Sequence, residues 1–446
     1  MIINQKKMKI EQIKSIIQSA HINFLIGSGV SRPYLNTLGS VETWLTELSN
    51  NPLDDEIKND IVKCSILNEY LTGVIIPNLE EVINDNYDHY KNWIIKELIG
   101  PDSAPTKEEE KGISLDNTIN EYKLFLQYIH SILARRGSNL RNKTANLFTT
   151  NIDILLEFAN QGLGIELNDG FSGRKPSVYD DNSFSKQATK VGLHSQKASE
   201  IPTINYIKLH GSINWSEGDE HKIIADDSLK NVVDTQAAFN EIKTYLIDIQ
   251  SQLKAYNNLD DDAEKPSFVN FLLEEVAYDN ANSVEIKTKL EKALSSYSKI
   301  IMVNPTKRKF RETVMDMPFY ELMRFYSNSL ERENCVLFVS GFSFADEHLA
   351  KITLRAAANN PTLSIIIFAY DDKAKNDIEK ALERIGGIPN KNILCLSPLD
   401  YKKANENEES SKIKIDNIQA LEHFDMKSIN DFLLKPLILS VSKLGK

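Results

Sequence analysis

Two short polar segments of this sequence combine residue types that can act on a polar substrate. The segment "TNID" (Thr150 to Asp153) follows an apolar run and precedes a helix-like one, and "HGS" (His210 to Ser212) follows another apolar run. An imidazole titrates near neutral pH and can accept a proton, while the amide of Asn151 can both donate to and accept from a hydroxyl group or water. Structural roles compete, because Asn and Asp also cap helix N-termini and a His-Gly pair can be a simple turn.

Glycines and hydroxyl groups follow other apolar runs. In "GSGVS" (Gly27 to Ser31) the glycines would let the backbone approach a phosphate, with helix N-terminal N–H groups facing it. A dinucleotide-binding fingerprint would place a third glycine where Arg32 stands, so a plain glycine turn is the alternative. The segments "NPTK" (Asn304 to Lys307) and "GFSFAD" (Gly341 to Asp346) follow two further runs. Together the five segments suit a nucleotide and a polar reaction.

Strands are the elements that must position these segments. Several apolar runs are nearly continuous in Ile, Val, Leu and Phe, which is typical of strands buried on both faces of a parallel sheet. Helix-like patterns lie between many of them, so the sequence predicts an α/β fold with a Rossmann-like, doubly wound, mostly parallel sheet. In such sheets ligands bind at the carboxyl ends of the strands. The predicted strands are Ile22 to Ile26, Asn146 to Thr150, Ile204 to Leu209, Lys299 to Asn304, Cys335 to Ser340, Ser364 to Tyr370 and Asn392 to Ser397.

Two helix-like segments interrupt the alternation of strands and helices. They span residues about 50–140 and about 216–297, and we expect them to form a second subdomain of one catalytic domain that covers 1–446. Residues 170–200 are polar and irregular, which predicts a loop or lid. Residues 400–446 are expected to form a C-terminal helical tail.

Composition excludes several classes of protein. The chain has 446 residues, 41% of them hydrophobic and 26% charged, as in ordinary globular proteins. The longest apolar run is too short for a membrane span, and a net charge of −11 argues against a general nucleic-acid binder. The three cysteines form no CxxC pair, so the sequence predicts no zinc site and a reducing cytoplasm.

The order of the polar segments resembles the sirtuin family. In that family a Gly-x-Gly-x-Ser loop, a T-x-N-I-D-type turn, a His-Gly pair and a Gly-x-Ser turn follow one another on an NAD-binding domain. This chain carries "GSGVS", "TTNID", "KLHG" and "SGFS" in that order. The longer matches "KLHGSINW" and "VSGFSFADEHL" are similar to the bacterial sirtuin-like branch, whose members commonly destroy NAD in antiphage defence.

The resemblance implies a role for each matching residue. Asn151 would hold the ribose and a water beside the bond to nicotinamide, Asp153 would bind the nicotinamide-side ribose or the amide, and His210 would be the general base. The resemblance implies that four residues cradle the diphosphate of NAD: Gly27, Ser28, Gly29 and Ser31. Gly341 and Ser343 would line the adenosine ribose and phosphate, and Thr150 would also bind NAD.

Three departures from the family pattern bear on activity. No cysteine lies between His210 and Cys335, where protein deacylases of the family carry a zinc ribbon, and "SRPYLNTLGSVETW" replaces their G-I-P-D-F-R-like segment. Both parts are associated with gripping an acyl-lysine peptide, so their absence favours cleavage of NAD alone. The third departure is "FAYDD" (Phe368 to Asp372), which replaces an Asn-bearing turn that helps to hold adenosine.

The sequence therefore favours an NAD glycohydrolase with NAD as substrate and no metal. A protein deacylase or ADP-ribosyltransferase is the second interpretation, and a non-catalytic NAD or ADP-ribose sensor is the third. The resemblance also implies regulation by assembly, as a homo-oligomer or with a HerA-type hexameric ATPase. No membrane and no direct nucleic-acid partner are expected.

Overall fold

A seven-stranded parallel sheet forms the centre of the molecule. The computed structural model describes residues 8–36, 40–99, 105–136, 142–173, 176–192, 198–259, 265–303, 317–386, 391–406 and 413–442. The strands, in chain order, are β1 (His21–Ile26), β2 (Thr144–Thr149), β3 (Glu166–Asn168), β4 (Phe171–Ser172), β5 (Val178–Tyr179), β6 (Thr189–Val191), β7 (Ala198–Glu200), β8 (Thr203–Lys208), β9 (Trp215–Glu217), β10 (Ile223–Ala225), β11 (Cys335–Ser340), β12 (Ser364–Phe368) and β13 (Ile393–Leu396).

The order of the strands is β13-β12-β11-β1-β2-β8-β3, which confirms the predicted α/β class and its parallel, Rossmann-like sheet. At the carboxyl ends of four neighbouring strands, the last residues pair with one another. Ile26 lies between Ser340 and Thr149, and Thr149 pairs with Lys208. These are the last residues of β11, β1, β2 and β8, so the four polar segments that follow them leave the sheet at one height.

Helices cover both faces of the sheet and build a separate helical core. Phe24 and Leu147 belong to the cluster on one face, whereas their neighbours Leu25 and Phe148 belong to the cluster on the other face. The helices are α1 (Ile10–Ser19), α2 (Val41–Asn50), α3 (Glu56–Tyr70), α4 (Glu80–Ile99), α5 (Lys107–Ala134), α6 (Leu155–Asn160), α7 (Lys230–Ile242), α8 (Ile249–Asn257), α9 (Phe268–Glu275), α10 (Ser283–Ser298), α11 (Met317–Glu331), α12 (Glu347–Asn359), α13 (Asp372–Ile385), α14 (Pro398–Asn405), α15 (Met426–Ser428) and α16 (Lys435–Ser442).

The helical subdomain has a core of its own, supplied by α2, α3 and α7 to α10. A π-helical turn (Leu71–Ile75) and a 3-10 turn (Ile76–Asn78) follow α3 directly. The long helix α5 packs on the sheet instead, because its buried residues belong to the cluster on one face of the sheet. The limits given to the domain, the two insertions and the tail stay predictions.

One predicted strand was wrong. Residues 299–303 form only an isolated bridge, between Met302 and Gly211, and Asn304 lies outside the described residues. The run is apolar for another reason: Ile300 and Met302 pack in the helical core, whereas Ile301 and Val303 pack against a face of the sheet. Two cores on opposite sides of an extended segment produce the same alternation as a strand.

The region after α6 is more ordered than the sequence predicts. Residues 170–200, expected to be a loop or lid, contain β4 to β7, and β4 and β5 join β10 and β9 in a four-stranded antiparallel sheet. The predicted helical insertion from residue 216 therefore begins with β9 and β10, and its first helix starts only at Lys230. Strands of three residues are too short to show a period in the sequence. None of the described helices is both long enough and apolar enough to cross a membrane.

The loops after β1 and β11 touch through glycines at the point where the strand order reverses. A Cβ atom on Gly27 would lie 2.5 Å from the carbonyl oxygen of Gly341, and one on Gly29 would lie 2.9 Å from the Gly341 Cα. Gly341 has a φ of +63°, and its own Cβ would lie 2.7 Å from the nitrogen of Val30. Only glycine fits at these three contacts.

A pair of alanine substitutions should separate this contact from backbone strain. Gly162 has a similar φ of +77° but nothing within 4 Å of an added Cβ. Gly162→Ala should therefore cost about 1–2 kcal/mol through the left-handed backbone alone, whereas Gly341→Ala should cost about 1–3 kcal/mol more through overpacking. Denaturant unfolding of both variants measures the difference, and equal losses would contradict a packing role for Gly341.

Candidate functional site

Ser31 connects the glycine loop with the turn after β2. Its hydroxyl group is buried, with a residue exposure of 1%. It lies 2.7 Å from the Tyr122 hydroxyl, 3.1 Å from Asp153 Oδ2 and 3.2 Å from Asn151 Nδ2. The carboxylate can only accept and the amide nitrogen can only donate, so Ser31 donates to Asp153 and accepts from Asn151 and Tyr122. The resemblance assigned Ser31 to the diphosphate, and the structure places its hydroxyl group on these side chains.

This arrangement fixes the orientation of the Asn151 amide. Because Nδ2 points to Ser31, Oδ1 points away from it. Oδ1 is buried, and no donor in the described part of the chain reaches it. A buried acceptor without a donor costs free energy comparable to a lost hydrogen bond. The oxygen therefore suits a ligand that supplies a hydroxyl group or a water.

Asp153 is a buried carboxylate held by neutral donors. Oδ2 accepts from Ser31, and Oδ1 accepts from the backbone nitrogen of Leu155, the first residue of α6, at 3.2 Å. Burial raises the pKa of Asp153, while the nearby charge of Lys208 and the hydrogen bonds oppose that rise. The helix-terminus interpretation thus holds in part for Asp153, whereas the side chain of Asn151 bonds to Ser31 instead.

Asn78 ties the helical subdomain to the same turn. Its Oδ1 accepts from the backbone nitrogen of Ile154 at 3.1 Å, and its Nδ2 donates to the Val74 carbonyl in the π-helical turn at 2.7 Å. The residue is 1% exposed. The side chain of Ile152, between the two polar residues of the turn, packs in the helical core. The helical subdomain therefore packs against the turn after β2 and holds its backbone in place.

Lys208 joins the turn after β2 to the loop after β8. Its buried Nζ lies 2.6 Å from Glu157 Oε1 and donates to Ser212 Oγ at 2.7 Å and to the Asp153 carbonyl at 2.5 Å. Three acceptors satisfy the three donors of the ammonium group. Burial raises the pKa of Glu157, and the charge of Lys208 opposes that rise. Sequence reasoning missed both residues, although a lysine that ends an apolar strand was a visible signal.

His210 lies two residues after the end of β8 and contacts an acid from another loop. Its Nε2 lies 2.9 Å from Asp346 Oδ2, and the residue is 8% exposed. Gly211, at a φ of +74°, turns the chain so closely that a Cβ would lie 2.4 Å from the Ile301 carbonyl oxygen. The His-Gly pair is therefore a tight turn and also presents a buried imidazole. Asp346 was recognised as part of a loop but not as a site residue.

The remaining predicted residues lie around the glycine contact. The amides of Gly27 and Gly29 donate to the carbonyls of Ser340 and Gly341, at 3.1 and 3.0 Å. Ser28 and Ser343 are exposed, and Thr150 is half-buried. Their assignment to NAD stays a prediction, as does the assignment of the two glycine amides to a diphosphate.

Metal-binding groups are not found in the described ranges, where no cluster of three His, Cys, Asp or Glu side chains could hold an ion. The three cysteines are buried and unpaired by disulfides. The prediction that the protein works without zinc stays open.

A comparison with protein families agrees with this geometry. The family model of the SIR2-like domain matches residues 145–389, a range that contains Asn151, Asp153, His210, Gly341 and Ser343. The glycine loop at 27–31 precedes the matched range. No curated protein matches the chain significantly. Sirtuin-type domains use NAD, and the unsatisfied Asn151 oxygen beside a close glycine contact fits a ligand rich in hydroxyl and phosphate groups. The chain belongs to the SIR2-like domain family.

Proposed function

We propose that this protein is an NAD glycohydrolase that hydrolyses the bond between ribose and nicotinamide. The observation that carries the proposal is the buried Oδ1 of Asn151, which no described donor satisfies and which lies beside a buried carboxylate. Family membership supports NAD as the substrate. The missing cysteine pairs between His210 and Cys335 favour water over an acyl-lysine peptide as the second substrate.

The reaction needs one proton acceptor and one water. The bond from ribose C1′ to the nicotinamide nitrogen breaks, and its electron pair neutralises the pyridinium nitrogen of the leaving group. C1′ becomes oxocarbenium-like, as in glycoside cleavage, and water attacks it. His210 takes a proton from the water or a ribose hydroxyl group, and Asn151 Oδ1 accepts a hydrogen bond from one of them. The products are ADP-ribose, nicotinamide and one proton.

The charges around the turn suit a cationic transition state. Lys208 and Glu157 form an ion pair at 2.6 Å, so their charges largely cancel. The carboxylate of Asp153 then remains as the net negative charge of the group, and neutral donors hold it in place. A preorganised charge of this kind stabilises a developing positive charge at little reorganisation cost.

Regulation by assembly belongs to the proposal, because uncontrolled NAD hydrolysis would harm the cell. We propose action in antiphage defence, as a homo-oligomer or with a HerA-type hexameric ATPase, in the cytoplasm. Light scattering of the protein alone and with the ATPase measures the mass of the assembly. A protein that stays monomeric, does not bind the ATPase and is nevertheless fully active would contradict regulation by assembly.

Asn151→Ala should lower nicotinamide release by about 10²- to 10³-fold, because a preorganised polar group is lost. Asn392→Ala is the matched control. Like Asn151, Asn392 has a buried Oδ1 that no described donor satisfies, and its Nδ2 donates to two backbone carbonyls. It lies just before β13, an edge strand, and therefore at the amino end of the strands, away from the site. We expect that control to retain activity. Chromatography of NAD incubations, with and without the ATPase, measures the product.

His210→Ala should lower the same rate by about 10²- to 10⁴-fold, whereas His221→Ala should not, because the His221 side chain is 92% exposed. NAD binding without cleavage would support a sensor. Cleavage only after an acyl-lysine peptide is added would support a deacylase. Either result would overturn the glycohydrolase.

Asp153→Asn should stabilise the fold at neutral pH while it lowers activity. Burial raises the pKa of Asp153 in the folded state, so its ionisation destabilises the fold. That cost appears as pH rises through the ordinary carboxyl range and levels off above the raised value. The variant should therefore exceed the wild type in unfolding free energy at pH 7, and the gap should close in acid.

Asp180→Asn supplies a control of opposite sign. Hydrogen bonds from Asn182 and an ion pair with Lys186 lower the pKa of this exposed carboxyl group. Its stabilisation is present at neutral pH and is lost as pH falls through the lowered value. Thermal unfolding of both variants and the wild type is measured as a function of pH. If the two variants differ from the wild type in the same direction at neutral pH, the destabilising role of ionised Asp153 is wrong.

A further inference from the structure

We propose that Asp346 is a positioning residue that selects the tautomer of His210, an inference that rests on the proposed hydrolysis of NAD. Asp346 stands at the N-cap of α12, and its carboxylate contacts both the start of that helix and His210. Its Oδ1 accepts from the backbone nitrogens of His348 and Leu349, at 2.9 and 3.2 Å. Its Oδ2 lies 2.9 Å from His210 Nε2.

The helix cap holds the acid in place. Two backbone donors fix Oδ1, so the carboxylate cannot rotate without breaking the cap. Oδ2 is then aimed at the imidazole. Both side chains are largely shielded from water, with exposures of 10% for His210 and 12% for Asp346. Shielding strengthens a hydrogen bond to a charged acceptor.

The loop that delivers Asp346 is itself constrained. It begins at Gly341, which touches the glycine loop, and it passes through Phe344 at a φ of +57°. Phe344 is fully buried. A left-handed conformation of a large residue is strained and persists only where the surroundings impose it. One rigid loop therefore supports both the glycine contact and the acid.

The contact determines which imidazole nitrogen carries the proton. A carboxylate only accepts, so Nε2 of a neutral His210 carries the hydrogen and Nδ1 carries the lone pair. No hydrogen bond from a described residue to Nδ1 is found. Nδ1 is therefore the atom that takes the proton from water or ribose, and the imidazolium that results stays bonded to an anion. Nucleophile–base–acid sites in other folds use the same logic.

Two substitutions separate positioning from capping. In Asp346→Asn the amide oxygen can still cap α12, but the NH₂ group faces Nε2 and should force the hydrogen onto Nδ1. In Asp346→Ser the hydroxyl group still caps the helix, because serine and aspartate are comparable caps, but it is too short to reach His210. We expect both variants to keep the wild-type melting temperature within a few degrees.

The readouts are the tautomer and the kinetic constants. Nitrogen-15 NMR of the full chain with labelled histidines, with His210 assigned by its loss in His210→Gln, should show Nε2–H in the wild type and Nδ1–H in Asp346→Asn. In both Asp346 variants kcat should fall by about 10²- to 10⁴-fold, as for a lost base, while KM for NAD stays within about twofold.

The outcomes distinguish this inference from the proposed function. An unchanged tautomer in Asp346→Asn, or wild-type kcat in Asp346→Ser, would overturn the positioning role even if the wild type cleaves NAD. Absence of nicotinamide release by the wild type would overturn the hydrolase, and the NMR result would still decide the orientation of His210.

Discussion

The level register of β11, β1, β2 and β8 is the constraint on which the rest of the site depends. The loops that follow parallel strands all begin at the carboxyl ends of the strands. Here the four strands end on residues that pair directly with one another. Every loop of the site therefore starts within one or two strand spacings of the next. Because the starting points coincide, short side chains such as Ser31 and Asn151 can meet without long loops.

The helical subdomain is part of this arrangement rather than an appendage. Asn78 accepts a hydrogen bond from the backbone nitrogen of Ile154, and Ile152 of the turn after β2 and Ile213 of the loop after β8 pack in the helical core. Residues 299–303 also connect the helical core to the His210 loop, since the backbone nitrogen of Val303 donates to the His210 carbonyl. A shift of the helical core would therefore move the turn after β2 and the His210 loop together.

The sequence was sufficient for six of the seven strands of the central sheet and for the polar segments after them, because continuous apolar runs are local signals. "CVLFVS" corresponds to β11 residue for residue. It was insufficient where two distant parts of the chain determine the outcome. Residues 299–303 look like a strand because two cores share them. The hydroxyl group of Ser31 meets Tyr122 only because α5 crosses the sheet there.

The same limit explains why the partners of the site residues were missed. The sequence shows Lys208 at the end of an apolar strand, but nothing in it pairs this lysine with Glu157. Burial makes the ion pair necessary, since a single buried charge would be costly. The carboxylate of Asp153 is a buried charge that accepts hydrogen bonds from neutral donors and is offset only in part by the nearby charge of Lys208, and keeping it costs stability. The unsatisfied oxygen of Asn151 is a second such cost, on the other side of Ser31. Two costs of this kind on one turn are expected where a ligand supplies the missing partner: a donor for the oxygen and, in the proposed hydrolysis, a developing positive charge for the carboxylate.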